Sequence, residues 1–297
     1  MKSDAPQGAD GFPDLLVASI QMRPEVGNKA GNMRRSLELV AEAAARGASL
    51  IVLPELANTG YAFASRDEAF QLAEPVEGGE SVGQWLEAAR RLRVHLVAGM
   101  AERCGAKLFN SAVMLGPQGL LGTYRKLHLW SDERVFFEEG DAGLPVMHTP
   151  LGRIGTLICY DGWFPEAYRL LAAQGADIVC MPTNWVPMPG QPADRHAMAT
   201  TLAMANAHAN GVAIVCANRI GTERGQEFIG QSLIVGSDGW PLAGPASGNE
   251  EEILTARINL RATRRARQLT AFNHVLRDRR SDVYYLMPGT GLPSARH

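Results

Sequence analysis

Three residues with useful chemistry stand directly after apolar, strand-like runs, where a turn can present them to a pocket. Cys159 ends the run 153–159 (RIGTLIC), and Pro165 and Glu166 open a helix a few residues later. A thiol on a strand-to-helix turn can feel the positive helix end and nearby backbone N–H groups, which favours the thiolate. It reads as a nucleophile or as a buried structural cysteine. Glu55 follows the buried run 49–53 (SLIVL) and Pro54. A desolvated carboxylate there could act as a general base, or it could cap a turn. Lys126, in YRKLHLW (124–130), is either a fixed cation for an oxyanion or a surface lysine. Cys180 and Cys216 lie inside strands and read as core, and Cys104 beside Gly105 reads as a loop thiol.

Taken together and in order, PEL…GY around Glu55, YRKLHLW around Lys126 and LICYDGWFPE around Cys159 resemble the nitrilase (carbon–nitrogen hydrolase) superfamily. The resemblance runs from Leu15 to Tyr285 and includes Pro182-Thr183-Asn184-Trp185 and Gly230-Gln231-Ser232. It implies that Glu55, Lys126 and Cys159 carry catalysis, with Glu133 as a second active-site glutamate. It also implies a contact from the Asn184 backbone carbonyl to the substrate amide, an oxyanion contact from the Tyr160 N–H, and no metal or cofactor. Asp161 after Tyr160 points to amidase and carbamoylase members. Gly162 and Trp163 stand where a carbamoyl-D-amino acid branch carries arginines. Tyr61, Trp130, Trp163 and Trp185 are expected to line an apolar pocket for a small primary amide; they could equally be core or subunit contacts. A nitrile or N-carbamoyl substrate uses the same triad, and a non-enzymatic binding protein is the third alternative.

Several elements must place these groups. Strand-like runs fall at 15–21, 49–53, 94–100, 153–159, 177–181, 212–217, 231–236 and 253–258, with a hairpin from 110–115 and 120–124. Helical spacing covers 32–46, 81–93, 165–174 and 197–210. That order predicts a mixed α/β chain with no internal linker. The resemblance sharpens it to a single-domain four-layer α-β-β-α sandwich over 15–285, with a leader at 1–14 and a tail at 286–297. It also implies a homodimer, or a higher even oligomer, through the helices 165–174 and 197–210.

The 297 residues are 46% hydrophobic and 20% charged, with a formal net charge of −2. That balance suits a globular protein and supplies no overall pull toward nucleic acid or anionic membrane. No apolar run approaches the ~20 residues of a spanning helix. Four cysteines match no zinc spacing, so the reading is a reduced, cytoplasmic protein. The arginine-rich stretch 257–280 could be a nucleic-acid patch, but with no aromatic stacking platform interleaved it reads as a solvated surface whose arginines pair with carboxylates of the body or of a second subunit. Gly79-Glu80-Ser81-Val82-Gly83 matches a serine-hydrolase pattern but lacks the preceding strand.

Overall fold

The first long apolar run alternates as a strand buried on both faces must. In β1 (Leu15–Gln21) one set of side chains, Leu15 and Val17, joins the layer between two sheets, while Ala18 and Ile20 face helices. A computed structural model describes residues 14–192 and 195–282. After β1 come α1 (Lys29–Ala45), β2 (Leu50–Val52), α2 (Arg66–Leu72), α3 (Glu80–Leu92), β3 (His95–Cys104), β4 (Lys107–Gly116), β5 (Gly119–Arg125) and α4 (Glu133–Phe136). The second half runs β6 (Val146–Thr149), β7 (Gly152–Thr156), α5 (Pro165–Ala173), β8 (Ile178–Pro182), α6 (Met198–Asn210) and β9 (Ala213–Ala217). It closes with β10 (Ile220–Glu223), β11 (Gln226–Ile229), β12 (Leu233–Val235), β13 (Pro241–Ala243), β14 (Glu252–Ile258) and α7 (Leu260–Arg265).

Two six-stranded mixed sheets result, ordered β14-β1-β2-β3-β4-β5 and β13-β12-β9-β8-β7-β6. Each has a parallel trio at its centre, β1-β2-β3 in one and β7-β8-β9 in the other. α1 and α3 cover the first sheet through Leu39, Val40, Ala43, Trp85 and Ala89. α5 and α6 join the other core through Tyr168, Leu171, Ala203 and Ala207. The four-layer sandwich is therefore as the family resemblance implied. Polar pins cross the middle: Ser19 Oγ donates to Cys216 O at 2.7 Å, and Gln21 Oε1 accepts from Ser232 N–H at 3.0 Å.

Several boundaries differ from the sequence reading. The run 153–159 stops being strand at Thr156, so Cys159 opens a separate 3₁₀ turn, Cys159–Trp163. The strand begun at 94–100 continues to Cys104 and returns from Lys107 across Gly105-Ala106. The short α2, α7, β6, β10, β11 and β13 lacked a period long enough to read. Arg264, on α7, grips the buried Asp177 with two bonds of 2.8 and 2.9 Å, as the solvated-surface reading expected. The expected leader at 1–14, apart from Asp14, and the tail at 286–297 lie outside the described residues. Among the described residues no helix is long and apolar enough to cross a membrane.

The fold brings β3 against the Pro54–Leu56 turn through a glycine. Gly99 N–H donates to Pro54 O (3.1 Å) and Gly99 O accepts from Ala57 N–H (2.9 Å). A Cβ at Gly99 would lie 2.5 Å from both Glu55 Cα and Pro54 O. Gly99→Ala should therefore displace the turn and destabilise the protein by about 1–3 kcal/mol. A thermal melt should show the midpoint falling by several degrees, and an unchanged midpoint would mean that the turn yields freely.

Candidate active site

Glu55 is fully buried at the turn after β2. Its carbonyl accepts from Asn184 Nδ2 at 3.0 Å, and its Oε1 accepts from Asn110 Nδ2 at 2.6 Å. Lys126 leaves the end of β5, its backbone fixed by Lys126 N–H to Asn110 O and Gly140 N–H to Lys126 O, both 2.8 Å. Its ammonium lies 2.7 Å from Glu55 Oε1 and 2.7 Å from Glu133 Oε1. Glu133, the first residue of α4, is 3% exposed and receives the Tyr61 hydroxyl on Oε1 at 2.7 Å. The result is a carboxylate–ammonium–carboxylate array with almost no solvent. Glu55 Oε2 is buried and accepts no hydrogen bond, so one basic oxygen is uncommitted.

Cys159 has a φ of +44°, a left-handed conformation that a non-glycine residue adopts only when its surroundings hold it there. Asp161 supplies much of that hold. It is fully buried and accepts from Ile158 N–H and the Tyr124 hydroxyl on Oδ2, at 3.0 and 2.7 Å. Its Oδ1 accepts from His128 N–H at 3.0 Å and lies 2.8 Å from His128 Nδ1, while the His128 ring stacks on Phe164 at 3.7 Å. One carboxylate thus ties the cysteine turn to the segment that carries Lys126.

Electrostatics follow from this burial. Desolvation raises the Glu55 carboxyl to about 7; the Lys126 charge opposes that rise and the Glu133 charge adds to it. Burial alone would lower the Lys126 ammonium, but the Glu133 and Glu55 carboxylates outweigh it and hold the lysine charged. The Cys159 thiol is raised by burial and then by the Glu55 charge, with Lys126, Thr183 and the Asn184 N–H partly offsetting. The thiol therefore rests protonated beside a carboxylate that titrates near neutrality, whereas the helix-end argument from sequence favoured a thiolate. Among the described residues no three His, Cys, Asp or Glu side chains group as metal ligands.

A family model for carbon–nitrogen hydrolases matches residues 16–268. The chain belongs to the carbon–nitrogen hydrolase family. It is 41% identical over 271 residues to a nitrilase of Pyrococcus abyssi, covering 91% of this chain and 99% of that one. It is 34% identical to an N-carbamoylputrescine amidase of Arabidopsis thaliana, covering 92% and 95% of the two chains. The crystal structure of a carbon–nitrogen hydrolase from Helicobacter pylori G27 matches with a TM-score of 0.79 at 29% identity, covering 91% and 97%.

In this carbon–nitrogen hydrolase, Trp130, Tyr160, Trp163, Asn184 and Trp185 line one pocket with Cys159, together with Val186, Met188 and Met198. Tyr61 is the exception among the residues expected there. It lines a neighbouring cavity of about 380 Å³ with Glu133, and its hydroxyl is spent on that carboxylate. Asn110 escaped the sequence reading because an asparagine inside a strand carries no pattern of its own; its side-chain bond to Glu55 appears only in the folded structure. Asp161 was legible as a branch marker, but not as the anchor of the cysteine turn.

Asp161→Asn would turn one acceptor oxygen into a donor, leaving at least one buried N–H or O–H unpaired. It should destabilise the protein by about 1–3 kcal/mol, read from guanidinium unfolding. Wild-type stability in that variant would mean that Asp161 does not fix the turn.

Proposed function

We propose that this protein is a thiol hydrolase that cleaves the C–N bond of a small primary amide to a carboxylate and ammonia. The observation that carries the reading is the buried Glu55–Lys126–Glu133 array beside the protonated Cys159. As Cys159 Sγ attacks the carbonyl carbon, Glu55 takes the thiol proton. Lys126 and the Tyr160 N–H hold the oxyanion, and the Asn184 carbonyl and Glu133 orient the amide nitrogen. Glu55 returns the proton to the leaving nitrogen, ammonia departs and a thioester remains. Glu55 then takes a proton from water, hydroxide adds to the thioester, and collapse expels the thiolate, which Glu55 reprotonates. The net reaction consumes one water and regenerates the enzyme.

The pocket supports an uncharged substrate. Its lining is aromatic and aliphatic apart from the amides of Asn184 and Gln191 and the thiol, with no charged side chain. Gly162 and Trp163, where arginines would be needed to grip a carboxylate, agree with this. The second reading keeps the array and changes the substrate to a nitrile or an N-carbamoyl amine, favoured by the names of the Pyrococcus and Arabidopsis relatives. We also infer a homodimer through α5 and α6, whose exposed Leu170 and Met198 are apolar. A monomer by light scattering at micromolar protein overturns it.

Ammonia release across matched amides, nitriles and N-carbamoyl compounds tests the reading. Amides should lead, Cys159→Ala should abolish turnover, and Glu55→Gln should cost about 10²–10⁴-fold in kcat. Ammonia persisting in Cys159→Ala would remove the nucleophile. Because Glu55 works as a base only when ionised, kcat/KM should fall as pH drops through about 7. An acid limb near the ordinary carboxylate range would contradict that role.

A further inference from the structure

Tyr61 is held at both ends, and the hold lies outside the array. Its hydroxyl reaches the Glu133 oxygen that also receives Lys126. Its backbone N–H and that of Ala62 both donate to Glu223 Oε2 at 2.8 Å. The same oxygen takes Arg219 Nη1 at 3.0 Å, while Glu223 Oε1 accepts from Val26 N–H at 2.6 Å. Arg219, 1% exposed, adds a bond to Pro24 O at 2.7 Å and lies 4.0 Å over the face of Phe228. Phe228 in turn meets the Tyr61 ring edge-on at 5.6 Å. Thus the carboxylate pins the tyrosine backbone and the arginine-backed phenylalanine wedges its ring.

A buried ion pair is weak as a stability device, since desolvation offsets most of its attraction and apolar side chains would fill the space as well. Apolar side chains could not collect three backbone N–H groups from two loops onto one carboxylate. Glu223, at the end of β10, does this for the loops after β1 and β2, the second of which carries Glu55. A tyrosine hydroxyl at 2.7 Å from a carboxylate is a strong charge-assisted bond only while the ring cannot swing.

We propose that Glu223, backed by Arg219 and Phe228, is a positioning residue: it fixes Tyr61, whose hydroxyl holds Glu133 against Lys126. Glu223 touches no reacting atom and acts through Tyr61. The proposal rests on the reading of Glu55, Lys126 and Cys159 as the catalytic array.

The test is a double-mutant cycle on ammonia release with Tyr61→Phe, Glu223→Gln and the pair, at matched folding by thermal melt. Each single variant should lower kcat by about 10–100-fold, as a misplaced group does, with KM little changed. The pair should be no worse than the poorer single variant. The acid limb of kcat/KM should move to lower pH, because the Glu133 charge that helps raise Glu55 is no longer held in place. Losses that multiply in the pair, or an acid limb unmoved in every variant, would overturn the proposal. Should Glu223→Gln fail to fold, Phe228→Leu loosens the same ring without changing charge and should move the limb in the same direction; an unmoved limb there also overturns it. Wild-type protein with no Cys159-dependent turnover would refute the catalytic reading instead. The positioning would then be read from the pH dependence of Cys159 alkylation by iodoacetamide in the same variants, where an unchanged profile overturns it.

Discussion

A lysine without solvent needs anionic partners, and Lys126 has two of them at 2.7 Å. Removing three charged groups from water is costly, and the surrounding structure meets that cost with fixed donors. Asn110 serves Glu55, while Tyr61 and the Trp130 N–H serve Glu133. Desolvation is what lifts the Glu55 carboxyl to about 7: the Lys126 charge at 2.7 Å pulls it down, and the Glu133 charge offsets part of that pull.

Each member of the array comes from a different part of the chain, and the sheets bring them together. Glu55 follows β2, Lys126 follows β5, Glu133 opens α4, and Cys159 follows β7 in the second sheet. The turn at Glu55 can sit against β3 only because Gly99 has no side chain. The cysteine turn is bent into a conformation that its own residues disfavour, and Asp161 holds it there through four contacts with three residues, Ile158 in the turn itself and Tyr124 and His128 in the segment that carries Lys126. Anchors such as Asp161 and Glu223 share one design: a buried carboxylate collects backbone N–H groups from loops that would otherwise drift. Each acts where two loops must keep register to within hydrogen-bond tolerance.

The pocket complements the array. Four aromatic rings and two methionines line the pocket that Cys159 faces, and apolar walls of this kind strengthen the charges behind them. Desolvation by these surroundings also raises the thiol, so the same walls that line the pocket favour its protonated form.

The residues by themselves determined a mixed α/β chain, the order of its main elements and three candidate groups, Glu55, Lys126 and Cys159; the sandwich and Glu133 came from the family resemblance. Long apolar periods and strand-end motifs are local properties, readable wherever burial imposes a repeat. Family resemblance joined Glu55, Lys126, Glu133 and Cys159, which are otherwise scattered. Tertiary structure decided what no local pattern encodes. It bonded the Tyr61 hydroxyl to Glu133, and it set Asn110 against Glu55. It also made Asp161 and Glu223 into anchors and ended the β7 strand before Cys159. Those outcomes depend on contacts between segments far apart in the chain, where a polar residue's role is fixed by which donor faces it, and that is settled only when the two sheets close on each other.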